Sequence, residues 1–393
     1  MFNKSVEGTF KFLLFSRAFR SIALIYMSLA FSLYLHALKL SIVGIGLVAG
    51  ATMLFMIFLT YIFGYIGDRR GFKTELIISE SISFVGALLI ALSTSVDIII
   101  LGMVIAGLTG VAGGMRGAFS PGTNAYIANN FPDENERVRR YSLVSMTASL
   151  SAVGGSILFS SVSFLSRFTG ILLAYRYFFA LASLFLGFSI IFLTMLADKE
   201  KPKKTTRVMK PTSLRYSLRI IAINSLGGIG IGLFMPLLPL WFELAYKAEP
   251  FEIGTVFTLV YIFTAIGSFL SSRVYHKLNP LSIASYTRML SALLLFGMAF
   301  SPFFALAALL YVLRAIIAGF GSPSRTAINV RGIEAEDYGT ATSVQGIASR
   351  IAQLSSGASG YLMDLYLPLP LFLGSIFQFV SGISYKLLLK QKK

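Results

Sequence analysis

Runs of about 20 predominantly apolar residues recur from one end of this chain to the other, and a bilayer core takes about that length of helix. Twelve such spans are read in the sequence: 13–36, 42–63, 75–95, 98–120, 140–162, 170–196, 215–241, 253–272, 282–301, 303–322, 340–362 and 368–387. Composition agrees: 55% of the 393 residues are hydrophobic and only 13% charged, against about 25% charged in a soluble domain. The expected fold class is therefore an all-α, polytopic membrane protein with twelve transmembrane helices. Phe is abundant and there is one Trp, which leaves Tyr as the interfacial anchor.

The spans fall into two groups of six. Between them lies Asp198–Ser213, polar, basic and with two prolines. This predicts a bundle over 1–197, a cytoplasmic linker over 198–214 and a second bundle over 215–393. The halves read as copies of each other. Ser120-Pro121-Gly122-Thr123-Asn124-Ala125 ends span four, and Ser322-Pro323-Ser324-Arg325-Thr326-Ala327 ends span ten. Each is followed by an acidic loop, and then by a span with a cluster of small residues. Charge sets the orientation. With both termini in the cytoplasm, most of the 34 Lys and Arg lie on the inner side, and only Lys39, Arg167 and Lys247 fall in outer loops. The reverse orientation violates the positive-inside rule. The N-terminal span is too long for a signal-peptide core and lacks a small-residue cleavage site, so the expectation is a multi-pass protein of the cell membrane.

The segment joining spans two and three is the most specific motif. Gly64-Tyr65-Ile66-Gly67-Asp68-Arg69-Arg70-Gly71-Phe72-Lys73 resembles motif A of the major facilitator superfamily, G-x-x-x-D-R/K-x-G-x-R/K, at Gly64, Asp68, Arg69, Gly71 and Lys73. The resemblance covers nearly the whole chain. It implies two pseudo-symmetric six-helix bundles and a secondary transporter working by alternating access. It assigns a gating role to Gly64, Gly67, Asp68, Arg69, Gly71 and Lys73. Asp68 then faces the N-terminus of span eleven near Gly339-Thr340, where free N–H groups and the helix dipole favour a carboxylate. Gly64 and Gly71 permit close approach and a tight turn. A degraded counterpart follows span eight, Ser272-Arg273-Val274-Tyr275-His276-Lys277-Leu278-Asn279.

Charges inside spans stand out because each costs about 2.5–3.5 kcal/mol at a helix centre. Arg314 and Arg350 lie near the middle of spans ten and eleven and are candidate contacts for an anion. Arg116 and Arg288 read as structural, Arg116 as a charge partner of Asp68. Glu80 is the clearest intramembrane acid and the candidate for proton coupling. Tyr26, Asn224, Tyr311 and Gln345 are further candidate cavity residues. Span seven carries Gly227, Gly228, Gly230 and Gly232 before Pro236 and Pro239, a pattern suited either to a gating helix or to a tight crossing.

Several chemistries are excluded or disfavoured. There is no Cys and only two His, His36 and His276, so thiolate chemistry is absent and a His-based metal or catalytic cluster is not expected. No phosphate-binding G-x-x-x-x-G-K-[ST] loop occurs. The net charge of +17 fits inner-face loops rather than nucleic acid. The expectation is a monomeric transporter without cofactor or enzymatic activity, with a small-molecule solute, the lipid bilayer and a coupling proton as partners. Motif A and the Ser-Pro turn look like the efflux-permease-like branch, so the reading leans to export of a drug or metabolite. Span five has Ala152-Val153-Gly154-Gly155-Ser156 and no proline, unlike the Gly-Pro motif of drug/proton antiporters. An uptake symporter or uniporter for a small organic anion or sugar is the alternative.

Overall fold

The computed structural model describes residues 6–108, 119–131, 133–198, 209–274, 279–334 and 337–389. Among them every regular element is a helix. These are α1 (Val6–Ala37), α2 (Ile42–Arg70), α3 (Phe72–Leu92), α4 (Val96–Ala106), α5 (Phe119–Asn130), α6 (Glu134–Thr169), α7 (Ile171–Thr194), α8 (Pro211–Phe234) and α9 (Leu238–Tyr246). They continue with α10 (Pro250–Val274), α11 (Pro280–Ala299), α12 (Phe304–Arg331), α13 (Tyr338–Ala352), α14 (Ser356–Leu365) and α15 (Leu369–Leu388). Ten of the described helices are long and apolar enough to cross a membrane. The expected count of twelve is not reached, for two reasons. Span four is described only as α4 and the start of α5, with 109–118 outside the described residues. Span eleven is broken into α13 and α14 by a 3-10 turn at Gln353–Ser355.

Contacts divide the chain into two units. The first gathers Met1–Leu40, Ala51–Thr205 and Glu249–Thr255, the second Ser41–Gly50, Thr206–Ala248 and Val256–Lys393. In the first, α1 packs on α6 and α7, and α3 on α7, α4 and α5. Phe12, Phe15 and Phe19 on one face of α1 meet Phe185, Phe188 and Phe192 of α7, a ladder at three- and four-residue spacing. In the second, α11 packs on α12 and α15, and α8 on α15 and α13. The small residues of α8 set this packing. Gly228 lies against Ala352 and Ser349, Gly230 against Gly374, and Gly232 against Gln353 and Ser355. The Ser355 hydroxyl donates to the Ile229 carbonyl at 2.8 Å, so the break in span eleven is hydrogen-bonded to the glycine face of α8. Span seven is itself broken, since α8 stops at Phe234 and α9 restarts at Leu238 with Pro239 in its first turn, where a missing N–H costs nothing. Lys39 and Lys247, the non-glycine residues with positive φ among the described residues, each stand three residues before the following helix, one in each half of the sequence.

Two boundary expectations are corrected. Spans two and three are expected to be bounded at 63 and 75, but α2 runs to Arg70 and α3 starts at Phe72, leaving Gly71 alone between them, at φ +93°. Ser322-Pro323 does not end span ten, because α12 continues through Pro323 to Arg331. A proline inside a helix strands the carbonyl four residues earlier, here that of Gly319. The Ser268 hydroxyl on α10 donates to that carbonyl at 3.1 Å, which is how the helix survives its proline.

Candidate functional site

Each unit holds its own buried polar set. In the first, Arg17 and Arg20 project from α1, and Glu75 and Glu80 from α3, all almost fully buried. Arg20 ion-pairs with Glu80 and lies within electrostatic reach of Arg17 and Glu75. Glu75 packs directly on Gly122 of α5, where any side chain would collide with its carboxyl. Arg20 and Glu80 thus offset each other's buried charge, while Arg17 Nε and Nη2 are buried without a hydrogen-bond partner among the described residues. Sequence reading found Glu80 and missed the other three. Arg17 and Arg20 were absorbed into the inner-side positive charge, and Glu75 stood at a helix start. The available signal was the three-residue spacing of the arginines on an otherwise apolar face.

At one end of the same unit, the motif A region is tied to α7. The Lys73 ammonium donates to the Thr194 and Leu196 carbonyls at 2.8 and 2.7 Å, satisfying the orphan carbonyls of a helix C-terminus. Its backbone N–H donates to Asp198 at 3.0 Å, as does the Asn130 amide at 2.9 Å. At the other end of α3, Arg176 near the start of α7 donates to the Ala91 and Leu92 carbonyls at 3.2 and 3.0 Å. α3 and α7 therefore cap each other's C-termini. The Tyr126 hydroxyl donates to the Ala197 carbonyl, and burial, then the neighbouring Asp198 charge, push its phenol well above the usual range. Gly67 lies against the Phe72 ring, whereas Gly64 faces open space, so the close approach is at Gly67. Arg69 stacks on Tyr65, 4.4 Å from the ring centre. The Asp68 side chain, the surroundings of Gly339, Arg116 and positions 275–278 of the second motif A segment lie outside what the structure describes.

The second unit brings several predicted residues together. The Tyr385 hydroxyl and Arg288 both donate to the Asn224 carbonyl oxygen, at 3.0 and 3.4 Å. The Asn224 amide donates to Asn329 at 3.1 Å, and Gln345 donates to the Asn329 backbone carbonyl at 3.2 Å and to Ser217 at 3.3 Å. Gly227 leaves room for the Arg288 guanidinium, since a Cβ there would collide with it. Arg288, read from sequence as structural, is thus the cation of this network. One helix away, Arg314 donates to Gln378 at 3.4 Å and stacks between Phe234 and Tyr311, 5.2 and 5.8 Å from their centres. Tyr311 itself packs on Phe242 and Phe257. Arg350 sits half-buried on α13. Tyr26 belongs to the first unit, buried among Phe159, Phe178 and Phe179, with its hydroxyl on the Tyr175 carbonyl at 2.9 Å. The helix network therefore joins Asn224 with Gln345, and Arg314 with Tyr311.

The POT family transporter PepTSo has the same fold, with a TM-score of 0.77, 13% identity and 97% of each chain covered. The nucleoside transporter NupG gives 0.73 and 13%, over 97% of this chain and 100% of that one. A bacterial homologue of the human lysosomal transporter Spinster gives 0.68 and 13%, over 98% and 97%. At these identities the likeness shows the fold alone. No curated protein matches the sequence. The family model described as Major Facilitator Superfamily matches residues 13–385, nearly the whole chain, and so this polytopic helical protein belongs to the Major Facilitator Superfamily of secondary transporters.

Proposed function

We propose that the chain moves a small organic solute across the cell membrane by alternating access. The observation that carries this reading is buried charge. Arginines and glutamates lie inside apolar helical bundles, where each is costly and where function is the usual reason for retaining them. Motif A supplies the gate. Gly71 is the single joint between α2 and α3, Lys73 and Asp198 fix the α3 side of it to α7, and Asp68, on the last turn of α2, is the residue to which motif A assigns the gating role. Glu80 is held by Arg20, so its first duty is to balance that charge. A proton carried there has to break this pair.

Export is the direction favoured by the full motif A pattern. Uptake is the second reading, favoured by the absence of proline from α6. Transport by purified protein in proteoliposomes, and direction by everted membrane vesicles, test both. A labelled solute panel of anionic, neutral and cationic compounds should include at least one that accumulates under counterflow. Asp68→Asn should reduce its rate roughly tenfold or more with expression unchanged. Equal rates in the variant would remove the gating role.

A further inference from the structure

The two units treat buried charge differently. In the first, Arg20 pairs with Glu80 and has Glu75 within electrostatic reach. In the second, buried Arg314 and half-buried Arg288 and Arg325 lie close enough for their charges to repel, yet the sequence holds no Asp or Glu between Glu252 and Glu334, nor anywhere in α8 or α15. None of the three makes an ion pair among the described residues. Arg325 is satisfied by the Ala318 carbonyl at 2.6 Å and by Thr287. The other two are answered only by neutral groups at 3.3 Å or more.

Donor and acceptor counting sharpens this. A guanidinium only donates, so Gln378 must turn its carbonyl to Arg314, and its amide N–H groups are left over. The Gln378 amide nitrogen and Arg314 Nε are both buried and without a partner among the described residues. The Asn224 carbonyl oxygen is already taken by Arg288 and Tyr385. Buried donors therefore remain unanswered beside these arginines, in a site of net positive charge. Such a site calls for a ligand with negative charge and several acceptor oxygens.

We propose that Arg288 and Arg314, with Gln378, Asn224 and Tyr385, bind the carboxylate or phosphate group of the transported solute. This names the substrate class of the transporter and rests on that reading. The test is thermal unfolding of the purified full chain at constant ionic strength, with sodium succinate, inorganic phosphate, glucose and choline as probes. Succinate or phosphate should raise the wild-type midpoint, and glucose and choline should not. The apparent affinity should fall roughly ten- to hundredfold in Arg314→Gln and Arg288→Gln, fall less in Arg314→Lys, and stay unchanged in Arg331→Gln at the exposed end of α12. The lysine variant keeps the charge and serves where a glutamine variant does not fold. Stabilisation equal across all five proteins, or equal for charged and neutral probes, would overturn the assignment. Anion binding that depends on the arginines without accumulation of any anion in proteoliposomes would mark a resident inorganic ion and overturn the substrate role. Accumulation of a neutral or cationic solute, insensitive to the arginine variants, would reject the anion site while leaving the transporter reading intact.

Discussion

Glu80 and Gly71 show how much single residues decide here. Glu80 is fully buried with Arg20, so Glu80→Gln leaves an uncompensated cation in an apolar bundle. Removal of one partner of a buried pair costs about 3–5 kcal/mol, and the detergent-solubilised variant should melt well below wild type. The double variant Arg20→Met/Glu80→Leu should recover most of that loss. If transport returns with stability, the pair is structural, and if stability returns alone, the pair takes part in the cycle. Gly71 has φ +93° and ψ 154°, a region open essentially to glycine, and Asp198 lies 3.3 Å from where a Cβ would stand. Gly71→Ala should cost about 1–3 kcal/mol, read as a lowered melting temperature, and unchanged melting would show that the joint tolerates another geometry. Glu80, Gly71 and Lys73 were legible in the sequence because an acid in an apolar run and a fixed motif declare themselves. Arg17, Arg20 and Glu75 were not, because their clustering depends on which faces of α1 and α3 meet.

Among elements, the clearest lesson is how helices settle their unpaired backbone groups. α3 and α7 cap each other through Lys73 and Arg176, which gives the last fixed position of motif A a duty within its own bundle. Asp198→Ala removes the acceptor shared by the Lys73 N–H and Asn130, and should cost about 1.5–3 kcal/mol for a charge-assisted bond. α12 passes through Pro323 because Ser268 answers the Gly319 carbonyl. Ser268→Ala should cost about 1–3 kcal/mol by leaving that carbonyl unsatisfied, whereas a second substitution of Pro323→Ala should restore it by returning the helical N–H. Failure of the proline replacement to rescue the serine variant would show that the hydroxyl serves something else. Ser-Pro read as a turn because proline usually ends helices, and the compensating serine lies on another element, beyond the reach of local pattern. Apolar length located the spans well. The prolines of span seven marked its break in advance, but apolar length could not show that span eleven is broken, because that break depends on packing against α8 and on Ser355.

For the whole molecule, the fold was legible because lipid permits so few solutions and because motif A sits directly after the second span. The site was legible only in part: Arg314 was flagged by cost, while the contrast between the Arg20–Glu80 pair of the first unit and the acid-free arginines around Arg314 in the second emerges once side chains share a bundle. That contrast accounts for the proposed division of labour, with gating charge in one unit and solute recognition in the other. The central claim is that the two units move against each other. The chain has no Cys, so introduced cysteines carry spin labels without background. Pairs at exposed positions, Asp97→Cys with Tyr366→Cys for the expected outer side and Arg139→Cys with Arg331→Cys for the inner, should each give two distance populations by double electron–electron resonance. Asp68→Asn should shift them in opposite senses, shortening the outer distance and lengthening the inner. A single distribution at both faces, unmoved by Asp68→Asn, would contradict alternating access in this protein.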